Sequence, residues 1–187
     1  MSGGKGFVLW FTGLSGAGKT TLTQALVPVL RERGVPIEVL DGDEVRLHLS
    51  KGLGFTREDR DTNILRIGFV ANLLARNGVN VITAAISPYR STREAVRSMV
   101  EASGARFIEA YVAATLEECE ARDVKGLYSE ARAGKRPGFT GIDDPYEPPL
   151  AAELTLPTGT EALSTSLERV VAYLEGEGLL RALEPAR

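Results

Sequence analysis

The 187-residue chain contains one cysteine, one histidine, one tryptophan and two methionines. The lone Cys119 excludes an internal disulfide framework and suits a reducing compartment. With a single His48 beside it there is no His/Cys cluster for zinc. His48 reads as a surface residue, and Cys119, within LEECEARD, as part of a helix surface or edge. An excess of basic charge is also missing. The 22 Lys and Arg against 25 Asp and Glu give a formal charge of −3, which argues against general nucleic-acid binding but leaves room for a local basic pocket. No apolar run approaches the roughly 18 residues of a membrane span, and the opening MSGGKGFVLWF is too short for a signal peptide. Internal repeats, low-complexity tracts and domain linkers are absent too. Together these absences predict a cytoplasmic soluble protein with no nucleic-acid or membrane partner, built as one domain over residues 1–187.

What is present alternates. The stretches 7–12, 37–40, 79–85 and 106–113 are short, apolar and rich in β-branched or aromatic residues, as buried strands are. The stretch 153–156 is a weaker fifth. Helical patterns cover 19–33, 56–77, 91–102, 115–122 and 161–176. Thr56 is placed to cap the second of these and Gly78 to stop it. Trp10, on the first strand, reads as core. Strand–helix alternation predicts an α/β fold: a three-layer sandwich with a mainly parallel five-stranded sheet and helices on both faces. Ligands of such sheets bind beyond the carboxyl ends of the strands, where the polar clusters of this sequence fall. One region breaks the alternation. Residues 125–149 carry four glycines and four prolines among basic and aromatic residues, the composition of a lid or binding loop.

FTGLSGAGKTT spans residues 11–21, and its core is Gly13, four residues, then Gly18, Lys19 and Thr20. Between a strand and a helix this is a P-loop. Its backbone N–H groups turn inward around phosphates, Lys19 sets a cation at the β/γ oxygens and Thr20 can ligate Mg²⁺. Lys19 is expected to stand exposed until nucleotide arrives. VLDGDEVR puts Asp41 and Asp43 after the second strand. Asp43 could act as a base toward a hydroxyl acceptor, as a ligand to Mg²⁺ through water, or simply as the cap of the helix that follows. These residues alone leave the three open. Arg60 and Asn63, three apart on one helix face, form with Arg46 a surface suited to an anion. Ser87, before Pro88, is held extended at the site floor.

Taken together, GLSGAGKTT, DGDEVR, GLGFTREDRDTN, ISPYR and DVKGLYSEARAGKRPGFTGIDDPYEPP resemble the adenylylsulfate kinase family from about Phe7 to Leu156. That resemblance implies phosphorylation of the 3′-hydroxyl of adenosine 5′-phosphosulfate by ATP with Mg²⁺, giving 3′-phosphoadenosine 5′-phosphosulfate. It implies that Gly13, Leu14, Ser15, Gly16, Ala17, Gly18, Lys19, Thr20 and Thr21 hold ATP, and that Thr20 and Asp43 serve the metal. Asp43, Glu44, Val45, Arg46, Phe55, Arg60, Asp61, Thr62, Asn63, Ile86 and Ser87 would meet the acceptor. Lys125 would reach between the nucleotides, and Gly138 and Phe139 would cover the acceptor's adenine. The resemblance further implies a homodimer working beside a separate ATP sulfurylase.

Ser87 corresponds to a position assigned in the family as a phosphoserine intermediate. Nothing near it in sequence is a base for that role, so direct in-line transfer, with Lys19, Asp43 and Lys125 as catalytic groups beside Ser87, is the expectation. Phe69 departs from the family, which often has Glu there. The segment 156–166 follows the family poorly, so no adenine-pocket residue for ATP is carried over. Two other classes stay in view: another P-loop phosphotransferase, and a non-catalytic nucleotide switch. The full lid sequence disfavours the first. The joint presence of Lys19, Asp43 and Lys125 disfavours the second.

Overall fold

The computed structural model describes residues 4–181, so the extreme ends of the expected 1–187 unit lie outside the described residues. Strand β1 (Phe7–Thr12) is buried along its whole length. It lies at the centre of a five-stranded sheet with β2 (Ile37–Asp41), β3 (Asn80–Ala84), β4 (Arg106–Val112) and β5 (Leu154–Leu156), in the order β2-β3-β1-β4-β5. Every pairing is parallel. All five strands are those expected from the apolar runs. Their order was not legible there: β2 is an edge strand, and β3 separates it from β1.

Parallel strands are covered on both faces, which is why β1 reads as a continuous apolar run. Its residues alternate between two cores. Phe7, Leu9 and Phe11 pack on one side with α1 (Lys19–Glu32) and α7 (Leu163–Gly176). Val8 and Trp10 pack on the other with α3 (Arg57–Ala75) and α4 (Arg90–Ala102). Each fully buried large side chain contributes about 1.5–3 kcal/mol, so the alternation fixes the register of the central strand. The α3–α4 contact is close. A Cβ at Gly68 would lie 2.5 Å from Val96 Cγ2.

Helix α3 begins as its sequence indicates, with the Thr56 hydroxyl accepting from Asp59 N at 3.2 Å. Helix α5 (Leu116–Arg122) opens on a reciprocal capping box between Thr115 and Glu118. Two further helices appear, the first expected only as one alternative for the Asp43 region and the second not expected. Helix α2 (Gly42–His48) follows β2 directly, capped by Asp41 rather than Asp43. Helix α6 (Leu127–Arg132) lies inside the lid segment, which is therefore partly regular. Cys119 is fully buried in the apolar core, not at a helix surface. The helical period explains it, since Cys119 sits on the inward face of α5 while Glu117 and Ala121 face solvent. Among the described residues, no helix is long and apolar enough to cross a membrane.

Candidate active site

Three strand ends converge on one cavity of about 510 Å³. The loop after β1 forms one wall, the β2–α2 junction a second and residues 84–88 the floor, with the lid above. The loop turns under constraint: Gly13 has φ 151°, and a Cβ there would meet Val112 O at 2.5 Å. Helix α1 starts without a side-chain cap, so its first N–H groups are free to meet an anion.

Lys19 is not exposed before nucleotide binding, contrary to the expectation. It is 8% exposed, and its Nζ donates to Gly13 O at 2.9 Å and Leu14 O at 2.7 Å. Burial lowers its pKa to about 8, against the pull of nearby groups including Asp41 and Asp43. The loop thus parks its own cation on two of its carbonyls.

Thr20 Oγ1 donates to Asp41 Oδ2 at 3.0 Å, while Asp41 Oδ1 accepts from Asp43 N at 2.9 Å. The carboxylate hydrogen-bonded to Thr20 is therefore Asp41, not Asp43. Asp43 stands at the cavity mouth, largely exposed, in an ion pair with Lys125 of the lid. No group of three or more acidic, His or Cys side chains is gathered for a metal among the described residues. A hydroxyl and one carboxylate suit Mg²⁺ shared with phosphate oxygens and water, not an all-protein cage.

Opposite the loop lies a cationic and aromatic wall. Phe55 is 54% exposed, with the Arg46 guanidinium 4.5 Å and that of Arg60 6.0 Å from its ring centre. Burial and then the neighbouring Arg60 lower the Arg46 pKa, the mark of two cations held close. Asn63 is buried and also lines the cavity, and its side-chain oxygen has no hydrogen-bond partner. Arg60 is already engaged. Its Nε donates to Phe55 O at 2.8 Å, and its two terminal nitrogens donate to Thr140 Oγ1 and Gly138 O. It ties the lid to α3 as well as facing the cavity. Gly138 and Phe139 line the lid side, with the Phe139 ring edge-on to Tyr128 at 5.0 Å.

Ser87 is 1% exposed with φ 44°, a left-handed conformation where an extended one was expected. Its hydroxyl accepts from Trp10 Nε1 and donates to Thr12 Oγ1, both at 3.0 Å. The hydroxyl is consumed inside the protein.

Among the residues expected at the site, Ser15, Gly16, Gly18, Lys19, Thr20, Thr21, Asp43, Arg46, Phe55, Arg60, Asn63, Ile86, Ser87, Lys125, Gly138 and Phe139 do line the cavity. Others do not. Val45 is buried in the apolar core beneath α2. Asp61 accepts from Thr92 Oγ1 on α4, one helical step away from the face of Arg60 and Asn63. Thr62 and Glu44 are likewise turned off the lining. Gly13, Leu14 and Ala17 shape the loop from behind, Leu14 and Ala17 as members of the core.

The profile of the family described as adenylylsulphate kinase matches residues 5–157. The adenylyl-sulfate kinase of Rippkaea orientalis is 58% identical over 176 residues, covering 94% of this chain and 95% of its own. The chain belongs to the adenylylsulphate kinase family. Among solved structures, that of the Mycobacterium tuberculosis APS kinase CysC in complex with AMPPNP and APS is 40% identical. Its TM-score is 0.88, over 92% of this chain and 99% of that one. The hexameric APS kinase of Thiobacillus denitrificans is also 40% identical with a TM-score of 0.74, over 96% of this chain and 30% of that one.

The site also carries features that the sequence did not reveal. Arg122 donates to Gly16 O at 3.4 Å and Thr158 O at 2.5 Å, and Thr158 Oγ1 donates to Ala17 O at 2.6 Å. The segment after β5, from which nothing was carried over, is thereby fastened to the outer side of the phosphate loop. Tyr128 on α6 donates to Ser15 O at 2.8 Å, tying the lid to the same loop. No local motif announces these contacts, because every partner is distant in sequence.

Proposed function

We propose that the protein transfers the γ-phosphoryl group of ATP to the 3′-hydroxyl of adenosine 5′-phosphosulfate, in one in-line step. The observation that carries the reading is the single cavity with a phosphate cradle at one end and an Arg46–Phe55–Asn63 wall at the other. Asp43 lies open between them. The cradle takes the triphosphate, and Lys19 leaves its two carbonyls for the β/γ oxygens. Arg122 and residues 157–160 flank the adenine of ATP. Thr20 and Asp41 would hold Mg²⁺, which when bound neutralises charge on the transferring phosphoryl group. Asp43 accepts the proton of the attacking hydroxyl. Lys125, its partner in the absence of nucleotide, turns to the phosphate oxygens. Phe55 stacks on the acceptor base, Phe139 closes over it, and Asn63 Oδ1 gains a donor. The arginines match phosphosulfate oxygens.

The chain works as one kinase unit with residues 125–149 as its lid, in the cytoplasm, supplied by a separate ATP sulfurylase. It pairs as a homodimer through the exposed Leu47 and Leu49 near α2 and Leu65 and Phe69 on α3, an apolar face of the kind buried between subunits. An assay with ATP, Mg²⁺ and a panel of acceptors tests the reaction. Turnover with adenosine 5′-phosphosulfate is expected, and rapid turnover with AMP alone would overturn it.

A further inference from the structure

Arg93 lies outside the cavity lining, is 2% exposed and makes three directed contacts. Its Nε donates to Glu109 Oε1 at 2.6 Å on β4, its Nη1 to Ser87 O at 2.6 Å, and its Nη2 to Glu147 O at 2.7 Å. One guanidinium therefore holds the central sheet, the acceptor floor and the returning end of the lid. Beside it, the Tyr146 ring stacks on Tyr111, with centroids 5.9 Å apart. The Tyr146 hydroxyl lies 2.9 Å from Thr12 Oγ1. Thr12 spends its own proton on Ile86 O at 2.8 Å, so it is Tyr146 that donates. Thr12 also accepts from Ser87 Oγ at 3.0 Å and is the residue before Gly13, the root of the phosphate loop.

We infer that Arg93 and Tyr146 are positioning residues that join the root of the donor loop, the acceptor floor and the lid return into one rigid piece, and thereby set the approach of the two reactants. The inference rests on the kinase reading above. In-line transfer depends on the spacing of donor and acceptor, and a shift of about 1 Å can cost about a hundredfold in rate. Neither side chain needs to touch a substrate to control that spacing. The left-handed backbone of Ser87 belongs to the same piece: a strained conformation persists where its surroundings over-determine it, and here the Ser87 carbonyl and hydroxyl are each held by a partner.

The test uses the full chain with Arg93→Lys, Tyr146→Phe and the double variant. Lysine keeps a positive charge against Glu109 but cannot hold three acceptors in a plane, while phenylalanine keeps the stacked ring. For each protein kcat, both KM values, the Kd of AMPPNP and the melting temperature are measured. Each single variant should lower kcat by about tenfold or more, with KM for ATP and the Kd of AMPPNP changed by less than about threefold. The double variant should lose little more than the worse single one, because both cut the same connection. An effect on melting temperature alone, with kcat kept, would overturn the inference. So would losses in the double variant that multiply, or a rise in both KM values at unchanged kcat. Should Arg93→Lys fail to fold, Tyr146→Phe decides alone by its kcat. The wild-type acceptor panel separates this from the kinase reading. If the wild type phosphorylates another hydroxyl acceptor, the function proposed above fails, and the kcat comparison is made on that acceptor.

Discussion

Trp10 Nε1 donates to Ser87 Oγ over 3.0 Å, binding a residue of the central strand to the floor of the site. That contact, with the Thr12 contact beyond it, takes the Ser87 hydroxyl out of the cavity's chemistry. Ser87→Ala should therefore lower activity modestly, through a loosened floor. Asp43→Ala or Asp43→Asn should lower it severely, since the Asp43 carboxylate stands open at the cavity mouth and is the base of the proposed transfer. ATP with a chiral γ-phosphate decides between the routes. One displacement inverts phosphorus, so retention together with a trapped phosphate on Ser87 would restore the phosphoserine intermediate.

Lys19→Ala should abolish transfer and leave the fold intact. The lysine is a buried cation whose desolvation opposes folding, so its loss removes a cost as well as two hydrogen bonds to carbonyls. Circular dichroism and a melting curve check the fold. Residual turnover above about 5% of wild type would remove this loop from the role of phosphoryl donor site.

The same lysine predicts a pH dependence of ATP binding. In the nucleotide-free protein its pKa is lowered from 10.5 to about 8. The folding penalty of the charged form is thus fully present below pH 8 and is relieved as pH rises toward 10.5. Bound triphosphate favours the charged form. Above pH 8 binding must therefore take up a proton, and affinity should fall by up to about tenfold per pH unit. Calorimetry in two buffers of different ionisation enthalpy should show proton uptake near about pH 9 and almost none near about pH 7. Equal uptake at both would place the titrating group elsewhere.

Phe55 and Phe139 should separate. Phe55 presents an exposed face beside two guanidinium groups, so Phe55→Ala should weaken the acceptor by about 1–3 kcal/mol and leave ATP affinity alone. Phe139 packs edge-on to Tyr128, and its carbonyl accepts from the backbone N–H of Ile142 at 3.0 Å and of Asp143 at 3.1 Å. Phe139→Ala should raise KM for both nucleotides. A loss confined to the acceptor would return Phe139 to a purely stacking role.

Asp41→Asn should raise the Mg²⁺ concentration needed for half-maximal rate, because it weakens the one carboxylate beside Thr20. The measurement is a Mg²⁺ titration at fixed ATP. An unchanged midpoint would assign the metal to Asp43 after all.

The sequence showed the strands because parallel strands buried on both faces become short apolar runs, and it showed the phosphate loop because its glycines are local necessities. It hid what depends on packing between distant segments. That β2 lies at the edge is a matter of strand order, which no local pattern carries. Helix α2 is too short to show a period, and α6 sits among the glycines and prolines of the lid. Cys119 misled because charged neighbours surround it in sequence, although only one face of α5 is wet. Lys19 misled because its partners are carbonyls of Gly13 and Leu14, acceptors that every sequence has everywhere. Arg60 lines the cavity, but its ties to Gly138 and Thr140 join segments about 80 positions apart in the chain.

The central position of β1 bears on how the chain reaches this structure. Val8 pairs with Val81 and Phe7 with Arg106, so the strand at the heart of the sheet has no neighbour until long stretches that follow it have been synthesised. Closing such distant pairings is slow. Meanwhile FVLWFT, uncharged and free of proline, is the kind of segment that pairs with its like on other chains. Refolding yield should therefore fall steeply with protein concentration, because β1 stays unpaired until β3 and β4 arrive.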